Sequence, residues 1–127
     1  MNATWERAVQ SGDLQAVRDL LRAGTDVDAR NRHGQTALML AAHRGHGDIA
    51  ALLVEAGADL NVAAKYNLTP LMLAIVAGHA AVARLLIQAG ATLDIRGTGA
   101  PGFAGKTAYD LAIAREMTEL YADLGCG

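Results

Sequence analysis

The sequence predicts an all-α solenoid of stacked helix–turn–helix units, and three observations predict it. Gly12, Gly45 and Gly78 are separated by 33 residues, and so are Gly24, Gly57 and Gly90. The segments Thr36-Ala-Leu-Met-Leu-Ala, Thr69-Pro-Leu-Met-Leu-Ala and Thr107-Ala-Tyr-Asp-Leu-Ala recur at matching places. The chain is also 52% hydrophobic, yet 27 of its 127 residues are alanine and only five are aromatic. A fixed period of this length is the signature of a repeat architecture, and small side chains let helices stack closely.

Each element has a local reason. The first unit starts near Thr4, and Gly12 separates its two helices. In the later units Thr36, Thr69 and Thr107 supply the hydroxyl of an N-cap, and Pro70 takes the first helical position, where its missing N–H costs nothing. Leu38, Ala41 and Ala42, like Leu71, Ala74 and Ile75, fall at i, i+3 and i+4, one helical face. Gly45 and Gly78 end that helix in the left-handed conformation. A second helix follows, with Ile49, Leu52 and Leu53 or Val82, Leu85 and Leu86 on one face, and Gly57 or Gly90 stops it. Two helices of roughly eight to ten residues cannot bury both faces alone, so neighbouring units must stack. Ala41, Ala42, Ala74, Ala112 and the alanines before the stop glycines (Ala23, Ala56, Ala89) are expected at the close contacts. Trp5 aligns with Leu38 and Leu71 and is expected in the core.

The 33-residue unit with its Thr-Pro-Leu opening resembles the ankyrin repeat. The resemblance covers nearly the whole chain as one domain, 1–127, with repeats of approximately 1–30, 31–63, 64–96 and 97–127. It implies projecting β-hairpin fingers at 25–36, 58–69 and 91–107, and a concave binding face made of finger tips and first helices. The chain departs from the pattern in three ways. Met39, Met72 and Asp110 stand where the family has a histidine, so another contact must orient the fingers. Asn31 and Ala64 replace the finger aspartate and Asn67 the finger glycine; Asn tolerates positive φ, so that turn should survive. Thr69 to Thr107 spans 38 residues, which puts five extra residues in the third finger, around residues 97–105. The fingerless first unit reads as an N-terminal cap. The last unit lacks the inter-helix glycine and has Asp110, Glu116, Glu119 and Asp123 against Arg115, as a C-terminal cap would. With both ends capped, a whole protein is expected.

Composition excludes several classes. A net charge of −2 argues against non-specific nucleic-acid binding. No apolar run reaches the length of a membrane span, and no secretion signal is visible. A lone cysteine, Cys126, excludes a disulfide scaffold and suits a reducing compartment, so a cytoplasmic location is expected.

Candidate chemistry is weak throughout. Ala100-Pro-Gly-Phe-Ala-Gly-Lys106-Thr107 fits a relaxed nucleotide-loop pattern, in which Lys106 would neutralise phosphates and Thr107 hold magnesium. That motif needs a buried parallel strand before it and a long helix after it, and Thr107 is instead in phase with the capping threonines. His46 and His79 occupy matching positions and are expected to bridge backbone between the two helices of a unit. His33 and His43 alone cannot complete a tetrahedral metal shell. Asp26/Asp28 and Glu116/Glu119 lie on fingers and a solvated helix, where nothing would split their pKa values. No enzyme activity, cofactor or metal is expected.

The reading is therefore a non-enzymatic adaptor that binds another protein on its concave face. Between Arg30 and Gly47 there are three arginines, three histidines and no acid. The positions expected to contact the partner are Arg30, Arg32, His33, Gln35, His43, Arg44, Lys65, Tyr66, Leu68, Phe103 and Lys106. Arg30, Arg32, Arg44 and Lys65 would steer an acidic partner, while Tyr66, Leu68 and Phe103 anchor it. A monomer is favoured. The alternative within binding is a dedicated inhibitor or immunity-type partner that inserts the long third finger into an enzyme's cleft.

Overall fold

The computed structural model describes residues 1–99 and 102–124. Seven α-helices are present there: α1 (Ala3–Ser11), α2 (Leu14–Arg22), α3 (Ala37–Arg44), α4 (Gly47–Glu55), α5 (Pro70–Val76), α6 (Ala80–Gln88) and α7 (Ala108–Ala114). Short 3-10 turns occupy Lys65–Asn67 and Thr118–Leu120.

A side-chain oxygen starts each first helix of a unit. Thr36 and Thr69 accept from the amides of Met39 and Met72 at 3.3 Å, and Thr107 accepts from Asp110 at the same distance. In the first unit the cap is Asn2, which accepts from the Trp5 amide at 2.8 Å, and α1 starts at Ala3, next to the expected Thr4. Gly12 and Gly45 end α1 and α3 at φ 77° and 76°. The fourth unit has no glycine there, and Glu116 takes the left-handed conformation at φ 56°.

Helices α1, α3, α5 and α7 pack side by side in one row, and α2, α4 and α6 form a second row behind them. Trp5, Leu38 and Leu71 occupy equivalent places between the rows and are almost wholly buried. Ala41, Ala42, Ala74 and Ala112 are fully buried, as close stacking requires. Ala23, Ala56 and Ala89 are exposed, so the alanines before the stop glycines serve no stacking contact. They sit at helix C-caps, beyond the last turn that faces the next unit. Ile113, which matches the buried Ile75, is 44% exposed because no further unit covers it among the described residues.

The fingers are narrow turns and not paired strands. The Asn31 amide donates to the Gln35 carbonyl at 2.9 Å and Ala64 to Leu68 at 3.0 Å, too short a span for a ladder. The only pairing of strand type among the described residues is one isolated bridge between Gly97 and Ala104.

Side-chain to backbone bonds between neighbouring units do the orienting that the missing histidine does not. Asp28 accepts from the Asp59 amide at 2.9 Å, and Asn61, one period later, accepts from Thr92 at 2.9 Å. Met39 and Met72 pack in the interior. His46 and His79 correct the expectation drawn from their spacing. Each Nε2 lies 3.1 Å from a carbonyl of the preceding unit, Gln10 and His43 respectively, so they join units rather than the two helices of one unit.

The last unit is abbreviated. Its second helix shrinks to the turn at Thr118–Leu120, held by buried Met117, Leu120 and Leu124. Arg84 of α6 fastens it, pairing with Asp123 at 3.5 Å and donating to the Glu119 carbonyl at 3.1 Å.

Candidate binding groove

One groove lies beside α3 and α5, with residues of all three fingers in its lining. It encloses about 530 Å³ and is lined by His33, Gln35, His43, Ala64, Lys65, Tyr66, Leu68, Leu73, Val76 and Phe103. Leu73 and Val76 come from α5, His43 from the last turn of α3, and the rest from the fingers. No carboxylate lines it.

Seven of the eleven predicted contact residues thus meet in one place. Leu68 meets it differently from expectation: it is 7% exposed and belongs to the core, because its backbone closes the finger and turns its side chain inward. It forms floor and is not a free anchor. The remaining four are elsewhere. The Arg30 guanidinium donates to the Ala63 carbonyl at 3.5 Å, while its own carbonyl accepts from the N-terminal amine at 2.8 Å. Arg32 lines an adjoining polar hollow with Glu6 and Arg7, which shares His33 and Gln35 with the groove. Arg44 and Lys106 are exposed on the surface and line no part of the groove. The acid-free stretch is therefore not acid-free in space, since Asn31 reaches the Glu6 carboxylate at 2.9 Å.

The aromatic wall has a cause in the backbone. Ala64 lacks the side-chain acceptor that Asn31 offers in the previous finger, where its Oδ1 takes the amides of His33 and Gln35 at 2.9 and 3.0 Å. The third unit turns instead through two left-handed residues, Tyr66 at φ 63° and Asn67 at φ 59°. Asn67 is the expected substitution for glycine; a tyrosine there is strained by roughly 1–2 kcal/mol. Several contacts hold it. The Tyr66 carbonyl accepts from Thr98 at 2.8 Å, and the Asn67 side chain donates to the Arg96 carbonyl at 2.9 Å. The Tyr66 ring lies 5.8 Å from that of Phe103, and the Lys65 ammonium sits 5.0 Å from its centre. Gly99 passes so close that a Cβ there would fall 2.7 Å from Tyr66 Cδ1.

The third finger's extra residues are closed at a neck. Gly97 donates to Lys106 at 2.8 Å, Gly105 donates to Gly97 at 2.9 Å, and Arg96 reaches the Gly105 carbonyl at 2.7 Å. Three groove residues lie outside the predicted contact set, Ala64, Leu73 and Val76. Leu73 matches the buried Leu40 and Leu111, so its repeat position hid its partial exposure above the groove.

The nucleotide-loop motif lacks its context. Residues 100 and 101 of it lie outside the described residues, no strand precedes it, and α7 after it has seven residues. Thr107 is committed to a capping box, in which its amide and hydroxyl donate to Asp110 Oδ2 at 3.0 and 3.1 Å. The bond from the Thr107 backbone is the main cause that holds the Asp110 carboxyl below its ordinary value, against the opposing effect of burial; the Thr107 hydroxyl and the charges of Lys106 and Arg96 add to it. Among the described residues no three His, Cys, Asp or Glu side chains converge as a metal site would need.

Residues 5–97 match the family described as ankyrin repeats, in three copies. This chain belongs to the ankyrin-repeat family. An ankyrin repeat protein of Rickettsia felis is 43% identical over 49 residues, 39% of this chain and 78% of that protein. Ankyrin repeat, SAM and basic leucine zipper domain-containing protein 1 of Equus caballus is 40% identical over 53 residues, 42% of this chain but 11% of its own length. As a class, ankyrin repeats are protein–protein interaction modules and typically non-enzymatic. The family match ends at residue 97, where the third finger of this ankyrin-repeat chain begins its extra loop. No helix among the described residues is long and apolar enough to cross a membrane.

Proposed function

We propose that this ankyrin-repeat chain is a non-enzymatic adaptor of the cytoplasm that captures a protein partner through an acidic surface. One observation carries the reading: His33, His43 and Lys65 rim an apolar groove that no carboxylate lines. Such an arrangement favours an acidic partner and repels a basic one, and it speeds encounter at low salt. The groove stands on stacked helices, so little ordering cost attends binding. The sets of steering and anchoring residues are revised accordingly. Lys65 steers, His33 and His43 offer hydrogen-bond donors, Tyr66 and Phe103 anchor, and Arg30 and Arg32 play a minor part. The inhibitor reading, with the third loop in an enzyme's cleft, has less support, since that loop is bonded to Tyr66 and spends Phe103 on the groove wall.

The chain has two lysines, Lys65 at the groove and Lys106 near it, which makes amine cross-linking informative. The test is affinity capture from a lysate of the source cell, then cross-linking and mass spectrometry. Cross-links to the captured partner should run chiefly from Lys65. Links confined to the N-terminal amine would reject the concave face.

A further inference from the structure

The groove is more than a charged face, because its lining combines aromatic, aliphatic and hydrogen-bonding side chains. Tyr66 and Phe103, with ring centroids 5.8 Å apart, form an aromatic wall in a lining that also holds Leu73 and Val76. His33 and His43 also line the groove, and an imidazole offers a donor in either protonation state. The Lys65 ammonium stands over the Tyr66 ring, 5.0 Å from its centre. The volume, about 530 Å³, falls in the range of sites that enclose a small ligand or a few side chains, not a flat protein face.

The aromatic wall exists only because of the third finger's extra residues. Phe103 belongs to them, and the Gly99 backbone lies against the Tyr66 ring where any side chain would collide. Tyr66 is also held in a left-handed conformation that its own preferences oppose. Strain at a groove wall, fixed by bonds from a separate loop, produces a preformed pocket for one bulky apolar group.

We propose that this groove seats a short partner segment in which one bulky apolar side chain is flanked by carboxylates. The side chain enters between the Tyr66–Phe103 wall and Val76, and the carboxylates meet Lys65, His33 and His43. The inference rests on the adaptor reading and narrows it from an acidic surface to a linear motif with a single anchor.

The test is selection of a phage-displayed library of random dodecapeptides on the whole purified chain. Enriched sequences should share a Leu, Ile, Phe or Trp with Asp or Glu close on both sides. Binding of the strongest peptide, fluorescein-labelled, is then followed by anisotropy. Replacing its apolar residue by alanine should weaken it at least about tenfold, a change that leaves the protein untouched. Lys65→Glu and Phe103→Ala should each weaken it about fivefold or more, with helicity checked by circular dichroism. Arg18→Glu, in the outer hollow between α2 and α4, should leave it unchanged. Failure to enrich any peptide, enrichment without carboxylates, indifference to Lys65→Glu and Phe103→Ala, or weakening by Arg18→Glu would each overturn the inference. None of these results decides the adaptor reading, which the Lys65 cross-links decide separately.

Discussion

The histidines that join one unit to the next can be tested by a single methyl group. Gly45 ends α3 at φ 76°, and a Cβ on it would stand 2.7 Å from Cε1 and Nδ1 of His79 and 3.0 Å from Cγ. The ring cannot stay where it is, so its 3.1 Å bond to the His43 carbonyl is lost with it. Gly57 ends α4 at φ 88° with nothing within 4 Å, so alanine there meets only the left-handed backbone penalty. That penalty is roughly 1–2 kcal/mol. The broken bond costs about 0.5–1.5 kcal/mol more. Gly45→Ala should therefore destabilise by about 2–3 kcal/mol, a fall in Tm on the order of 6–12 °C, and Gly57→Ala by about half as much. Urea and thermal unfolding, followed by far-ultraviolet circular dichroism, measure both. A double-mutant cycle sharpens the assay: in a His79→Ala background Gly45→Ala should cost no more than Gly57→Ala. Equal penalties for the two glycines, or strict additivity in the cycle, would refute a structural bridge at His79.

Three further outcomes follow from single side chains. Glu116 is exposed, left-handed at φ 56°, and stands where the other units have glycine, so Glu116→Gly should stabilise by about 0.5–1 kcal/mol in urea unfolding. Trp5 is fully buried and its indole N–H has no partner among the described residues. Trp5→Phe should then change stability by no more than about 1 kcal/mol, against about 3–5 kcal/mol for Trp5→Ala, read by calorimetry. The Asp110 carboxyl titrates below its ordinary 3.8, so its contribution is fully present above that value and is lost as pH falls through the depressed one. Asp110→Asn should flatten stability against pH in that acid range and leave the slope near neutrality unchanged, as unfolding at a series of pH values would show.

Much of the fold was legible because backbone rules act locally. A threonine before an apolar run caps a helix whatever surrounds it, and a glycine at φ near 76° ends one, so the 33-residue period marked α3 to α6 closely. The groove was half legible. Finger tips and the turn after α3 were readable as exposed positions, which brought His33, His43, Lys65, Tyr66 and Phe103 into the candidate set. The directions of the arginines were not legible, because sequence adjacency says nothing of direction: Arg30 turns to the Ala63 carbonyl, and Arg32 lines a hollow together with Glu6. Leu68 misled for the opposite reason, since a finger residue next to a capping threonine already points into the core. The strain at Tyr66 left no signal at all. It depends on Ala64 offering no acceptor and on a loop thirty residues later closing over the ring.

The neck of that loop separates two kinds of change. Because Gly97 and Lys106 are bonded at 2.8 Å, α7 stacks on α5 at a spacing the intervening residues do not set. Residues between the neck positions can lengthen, shorten or change chemistry without disturbing the helix rows, much as a hypervariable segment sits on a constant framework. The groove wall is consequently an exchangeable cassette. A library built on residues 98–104 with Gly99 kept would alter which anchor the groove accepts while the helix rows serve as an unaltered chassis.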